Sequence, residues 1–220
     1  MRYIPAASFG SWSYGFKLVA YCGVLTVRVL AVNGSPREKG NTYLMLKRVC
    51  DPLSTAGMEI DWAYLHAAGI APCGACMSCA KTKDGRCYGE DDAANELIDR
   101  TRNADVILLG SPVYFGSVTG QIKAYMDRVG FVSRMGDNFL RRKIGAAVVP
   151  ARRAGQLLTF AELNMWFLIN GMIVPGSSYW NVGAGRAEGD ILKDNEALLT
   201  LDELAKNIIW LADRLRDEPR

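Results

Sequence analysis

The chain has 220 residues, half of them hydrophobic, with 26 basic and 23 acidic side chains and a formal net charge of +3. That suits one compact α/β domain with a full core; the mixed charges, without a basic run, argue against a nucleic-acid partner, and no apolar stretch reaches the ~18 residues of a membrane helix. Six cysteines in so long a chain do not make a small secreted disulfide scaffold, and the clustering of four of them within Cys73–Cys87 favours metal in a reducing, cytoplasmic setting.

Residues 1 to 25 carry Gly, Ser and aromatic residues without a helical or strand period. Phe16 to Val24 is mildly apolar but runs straight into the next strand, so it does not read as a cleaved signal peptide. The segment reads as a poorly ordered N-terminal extension, or as an upstream-start artefact, ahead of a domain over 26–220. Thr26–Asn33, apolar and β-branched, is long enough for a buried parallel strand. A Gly-, Ser-, Pro- and Asn-rich turn follows, then a helix over Thr42–Thr55 carrying Leu44, Leu46 and Val49. Pro52 is expected to kink or shorten it, Gly57 to stop it, and Cys50 reads as a small core side chain. Met58–Leu65 alternates as a second strand, and His66 follows as a loop residue. A long loop over 66–90 carries the cysteine cluster. Asp91 and Asp92 suit the start of a second helix that ends by Asn103. Asp105–Gly110 is a continuous apolar strand. Thr119–Val129 is a third helix, with Ile122, Tyr125, Met126 and Val129 on one face. Ile144–Val149 predicts a fourth strand, Gln156–Leu168 a helix with a broad apolar surface, and Met172–Val174 a short fifth strand. Gly176–Asp190 reads as a Gly-rich loop holding Tyr179 and Trp180, and Glu196–Arg214 as a closing amphipathic helix. This alternation predicts a parallel sheet with right-handed crossovers. The expected strand order is 2-1-3-4-5, with ligand at the switch point between strands one and three.

Strand, polar turn and helix over Val27–Thr42 form the geometry that aims free backbone N–H groups at an anion. Ser35, Asn41 and Thr42 add hydrogen-bonding groups and Arg37 adds a charge. The stretch lacks Gly-Lys-Ser/Thr and G-x-G-x-x-G, so neither a nucleoside triphosphate nor a dinucleotide pyrophosphate is indicated. A single terminal phosphate, as on FMN, fits best; an ordinary strand-to-helix turn is the bland alternative. After the third strand, Pro112 and Gly116 shape a tight loop, and Tyr114 and Phe115 offer flat surfaces to a flavin ring. Cys73-x2-Cys76-x2-Cys79-x7-Cys87 has the spacing that wraps one corner of a cubane. Asp84-Gly85 in the last spacer can turn the fourth cysteine back. One [4Fe–4S] cluster is the sharp reading; zinc and loose thiols are the rivals. Cys22 lies outside the set.

Gly34-Ser35-Pro36-Arg37 with Gly40-Asn41-Thr42 resembles the FMN phosphate loop of the flavodoxin-like NADPH-dependent FMN reductase family. Gly110–Gly116 resembles that family's flavin-ring loop, and the cysteine cluster is similar to that of its iron–sulfur flavoprotein branch. The likeness spans roughly residues 25–215. It implies a flavodoxin-like three-layer α/β/α sandwich with a five-stranded parallel sheet. Its implied FMN contacts are Ser35, Arg37, Gly40, Asn41, Thr42, Pro112, Val113, Tyr114, Phe115 and Gly116. Arg152, beside Arg153, sits where the third flavin loop lies, and Cys73, Cys76, Cys79 and Cys87 are the implied metal ligands. Gln121–Arg128 resembles the family's following helix, in which Lys123 and Asp127 read as a structural ion pair. Tyr179 and Trp180 would cap a flavin or pack at an interface. The resemblance also implies a homo-oligomer, dimer or tetramer, with flavin near a subunit boundary. The expected activity is an FMN-dependent oxidoreductase. It would pass electrons between a small-molecule or protein donor and acceptor, with NAD(P)H as a candidate donor. A cluster-free NAD(P)H-dependent flavin or quinone reductase and a non-catalytic flavodoxin-like carrier or regulatory module are the alternatives. No Ser, His or Cys arrangement for side-chain catalysis is present, which fits chemistry carried by a cofactor.

Overall fold

A computed structural model describes residues 26–215; the expected N-terminal extension and Cys22 lie outside them. The apolar runs become the strands of one parallel sheet: β1 Arg28–Asn33, β2 Glu59–Tyr64, β3 Val106–Gly110, β4 Ile144–Ala151 and β5 Val182–Ala184, in the order β2-β1-β3-β4-β5. The order is the one predicted. Alternate residues of each strand face opposite sides, as the period of two demands. Leu30, Val32, Ile107, Leu109, Ala147 and Val149 pack against α4 (Ala94–Asn103), α5 (Gly120–Met135) and α6 (Gln156–Ile169). Val29, Ala31, Val106, Leu108, Ala146 and Val148 pack against α1 (Asn41–Thr55) and α7 (Asn195–Leu215). The molecule is therefore a three-layer α/β/α sandwich. Each fully buried Leu, Val or Ile contributes about 1.5–3 kcal/mol, and these residues together with Ala make up most of the central strands.

The edge strand differs from the expectation. Met172–Val174 is not strand five. Ile173 makes only an isolated parallel bridge to Ile144 at the start of β4, and Pro175, which has no N–H, cannot extend a ladder there. The chain leaves the sheet and returns at Val182–Ala184, pairing Val149 with Val182 and Ala151 with Ala184. The predicted Gly-rich loop thus contains the true edge strand. Two further departures matter for the site. The cysteine loop holds two short helices, α2 Leu65–Ala68 and α3 Ser78–Thr82. Helix α5 runs on to Met135, past the predicted end, and Gly130 in the added stretch is a packing contact: a Cβ there would stand 2.7 Å from Trp166 Nε1. Trp166 Nε1 donates to the Met126 carbonyl at 2.8 Å, locking α6 onto α5. Helix α1 continues through Pro52 to Thr55.

Candidate functional site

Three loops meet beyond the carboxyl ends of β1, β3 and β4. The first, 34–40, is folded on itself. The Ser35 N–H donates to Asn33 Oδ1 at 3.0 Å, and Ser35 Oγ accepts from the Arg37 N–H at 3.1 Å. Gly40 is the N-cap of α1 and brings no side-chain acceptor, so the first-turn donors of Asn41, Thr42 and Tyr43 are suited to an anion. Gly34 must lack a side chain, because a Cβ would stand 2.0 Å from Ile122 Cγ1. Its N–H donates to the Gly110 carbonyl at 2.9 Å. Thr119 Oγ1 donates to the Gly34 carbonyl at 2.8 Å and caps α5 by accepting from the Ile122 N–H. The phosphate-type loop and the loop after β3 are thus one hydrogen-bonded unit.

In the second loop, Tyr114 and Ser117 exchange both backbone hydrogen bonds, at 2.9 and 3.1 Å. Phe115 and Gly116 between them lie at φ 52° and 81°, the signature of a two-residue primed turn. The Phe115 side chain is fully exposed at its tip. Glu162, from α6, accepts from Ser117 Oγ at 2.7 Å and from the Val118 N–H. The third loop carries Arg152 and Arg153, both exposed. It turns at Gly155, whose backbone at φ +90° leaves a hypothetical Cβ 2.9 Å from Val113 Cγ1. Ser35, Thr42, Pro112, Val113 and Gly116 are buried or half-buried within this assembly, whereas Arg37, Tyr114 and Arg152 stand in solvent. The Asn41 side chain is engaged elsewhere: it donates to Ala187 O at 2.8 Å and accepts from the Gly189 N–H at 2.9 Å. It ties segment 185–189, with the exposed Arg186, beside the first loop.

The cysteine segment packs on α5. Cys73, Cys76, Cys79 and Cys87 line one cavity whose walls include Met77, Arg128 and Phe131. Among the described residues, no group of three or more His, Cys, Asp or Glu side chains forms a ready-made metal site. The four sulfurs share a cavity without converging on a point. The backbone around them is unusual. Ala75 and Met77 both take left-handed angles, φ 51° and 59°, which non-glycine residues adopt at a cost and chiefly at functional sites. Such alternation forms the concave backbone nests found around anions and iron–sulfur groups. Asp84 turns the spacer back as expected, with Oδ1 accepting from the Arg86 N–H at 3.2 Å and Gly85 at φ 79°. Ser78 donors hold the Cys76 thiol below its ordinary range. Burial, and then the neighbouring Cys87, Cys76 and Cys73, push the Cys79 thiol up. Cys50, buried in α1, is pushed up to about 12 by burial and is the core side chain expected. Lys123 and Asp127 pair on α5. His66, in α2, sits with Tyr64 at 6.0 Å between ring centroids. Tyr179 and Trp180 are about half exposed, 4.8 Å apart.

Residue-type reasoning missed Thr119, Glu162, Asn95 and Arg128. Thr119 had a readable signal, a Thr one residue ahead of a helical apolar face. Arg128 had one too: it is an arginine on the buried stripe of α5 with Tyr125 and Val132, and such a charge requires partners. Glu162 and Asn95 act through tertiary contacts and left no local mark.

A doubly wound parallel sheet, with its switch-point loops bonded into one unit around a helix start, defines a flavodoxin-like α/β protein. The description NADPH-dependent FMN reductase matches residues 27–187. An iron–sulfur flavoprotein of Methanocaldococcus jannaschii is 35% identical over 83% of this chain and 95% of its own length. One of Methanosarcina thermophila is 31% identical over 87% and 100%. Among solved structures, RosB with a bound 8-demethyl-8-formylriboflavin-5'-phosphate intermediate superposes with a TM-score of 0.72 at 16% identity, covering 89% of this chain and 82% of that one; that likeness concerns the fold alone. The chain belongs to the NADPH-dependent FMN reductase family, among the iron–sulfur flavoproteins. It is an FMN-dependent flavoprotein and a flavin-dependent oxidoreductase.

Proposed function

We propose that this oxidoreductase holds FMN across the three loops and one [4Fe–4S] cluster on Cys73, Cys76, Cys79 and Cys87, relaying electrons between a donor and an acceptor. When bound, FMN supplies two-electron chemistry and a cluster supplies single-electron transfer. In this reading the chain's own residues bind and orient. Ser35, Arg37, Gly40, Asn41 and Thr42 hold the phosphate, the last three through the start of α1. The backbone donors of Val113, Phe115 and Gly116 meet the ring edge, Pro112 shapes the loop, and the Tyr114 and Phe115 side chains lie against the ring. Arg152 offers charge to the reduced flavin or to a nicotinamide phosphate.

The observation that carries the cluster is the single cavity lined by all four cysteines of the spaced motif. Left-handed Ala75 and Met77 curl the backbone around it. The cavity also fits an anionic group, since the buried Arg128 guanidinium forms part of its wall. The cavity and the loops are joined by α5. Thr119 caps that helix at the flavin loops and Arg128 reaches the cysteines nine residues on, a rise of about 13 Å at 1.5 Å per residue.

Helix α6 presents Leu157, Leu158, Met165, Leu168 and Ile169 to solvent, each nearly half exposed or more. This stripe suits a second copy of the chain and makes a homo-oligomer part of the proposal. Donor and acceptor are testable as NAD(P)H and a quinone or free flavin. Turnover with these supports an enzyme acting directly on nicotinamide, and its absence points to a protein partner. The cluster is tested by changing each of the four cysteines singly to Ala. Iron content is expected to fall sharply with FMN retained, and iron unchanged in all four variants would refute the assignment.

A further inference from the structure

Cys87 is held unlike the other three cysteines. Its backbone N–H donates to Asn95 Oδ1 at 2.8 Å and its carbonyl accepts from Asn95 Nδ2 at 2.9 Å, so α4 grips it from both sides. Its sulfur accepts from Arg128 Nε at 3.3 Å. Arg128 belongs to α5 and is 2% exposed. Its guanidinium also donates to the Ala71 carbonyl at 3.3 Å, the Glu90 carbonyl at 3.2 Å and the Asp92 carboxylate. Asp92 in turn accepts from the Ala71 N–H at 2.8 Å. One buried cation therefore fastens the entry of the cysteine segment, its exit and its last sulfur.

We infer that Arg128 is a positioning residue for the metal centre, holding Cys87 for ligation and raising the centre's reduction potential through its N–H to the Cys87 sulfur. This rests on the cluster reading above. A buried cation costs several kcal/mol to desolvate, so a purely structural clasp would be served as well by apolar residues. A donor aimed at the sulfur is served by nothing smaller. Hydrogen bonds to cluster sulfurs and net charge are the levers a protein has over such potentials. Reduction adds negative charge to the centre, and a fixed N–H and positive charge stabilise that form. Asp92 opposes this, because its carboxylate draws the guanidinium's charge away from the sulfur. The two residues are therefore expected to act with opposite sign.

The test uses full-length protein purified without oxygen. Wild type, Arg128→Met, Arg128→Lys and Asp92→Asn are compared for bound iron, bound FMN and cluster midpoint in an EPR-monitored redox titration. Arg128→Met is expected to move the midpoint negative by at least a tenfold change in the one-electron equilibrium constant, about 59 mV. It is also expected to lose iron to a chelator at least tenfold faster, with FMN retained. Arg128→Lys, keeping the charge but not the fork, falls between. Asp92→Asn moves the midpoint the other way, which loosening of the loop alone would not do. If Arg128→Met does not fold, the Arg128→Lys and Asp92→Asn midpoints on either side of wild type decide the matter. Iron in every protein with one common midpoint overturns the role of Arg128 and leaves the cluster standing. Wild type with full FMN and no iron overturns both.

Discussion

Ser35 and Gly34 show how little freedom the first loop has. Ser35 Oγ is already committed to the Arg37 N–H, so Ser35→Ala removes a support of the loop as well as a phosphate donor. FMN binding is expected to weaken by roughly 1–3 kcal/mol, the scale for one hydrogen bond lost beside a charge, measured as the Kd of flavin-stripped protein for FMN. Gly34→Ala is harsher, since its Cβ would overlap Ile122 with Gly110 O at 3.2 Å on the other side. Overpacking of this kind costs about 1–3 kcal/mol. Gly34→Ala should lower the melting temperature and flavin occupancy together, whereas Gly120→Ala, with nothing within 4 Å of a Cβ, should alter neither. Cys50→Ala is expected to leave iron untouched and to cost only a trimmed core side chain. The polar turn between β1 and α1 and the cysteine spacing were legible because both are local patterns of residue type. The residues that hold those patterns in place were not. Asn95 lies eight positions from Cys87, and Arg128 forty-one.

Among the elements, the turn that leads into α4 has one carboxylate, Asp92, doing two jobs. Asp92 Oδ1 accepts from the Ala94 N–H at the helix start, at 2.9 Å, while Oδ2 holds Ala71 and Arg128. Burial alone would push this carboxyl up, but the Ala71 and Ala94 donors and then Arg128 outweigh it, leaving it below the usual carboxylate range. A carboxyl depressed in the fold stabilises it above the unfolded value of about 3.9. That contribution disappears as pH falls through the lower folded value. The gap in melting temperature between wild type and Asp92→Asn should therefore hold steady near neutral pH and close under acid; a gap that widens under acid would contradict the account. Strands β1, β3 and β4 were readable as continuous buried runs, β2 only as a loose alternation, and helices α5 and α7 by their periodic apolar faces. Strand β5 was not, since three residues at a sheet edge carry little periodicity. Met172–Val174 has the stronger apolar pattern yet forms only an isolated bridge to β4, through Ile173.

At the scale of the whole molecule, the flavin-type loops sit at the amino end of α5 and the cysteine cavity two turns and more along the same helix. In the proposed reading, that arrangement leaves one rigid element to position both cofactors. The exposed stripe on α6 is the proposed contact with a second copy of the chain. Met165→Glu, at a position 69% exposed, should shift the oligomer to smaller species in sedimentation while the monomer fold survives. Unchanged mass would remove α6 from the interface. The central claim is that one chain carries both FMN and an iron–sulfur cluster. It is tested most directly by purifying the wild-type protein without oxygen and quantifying flavin, iron and acid-labile sulfide on the same sample. The account predicts a full complement of FMN, with iron and sulfide in the proportion of one [4Fe–4S] cluster per chain. Full FMN with no iron would contradict it.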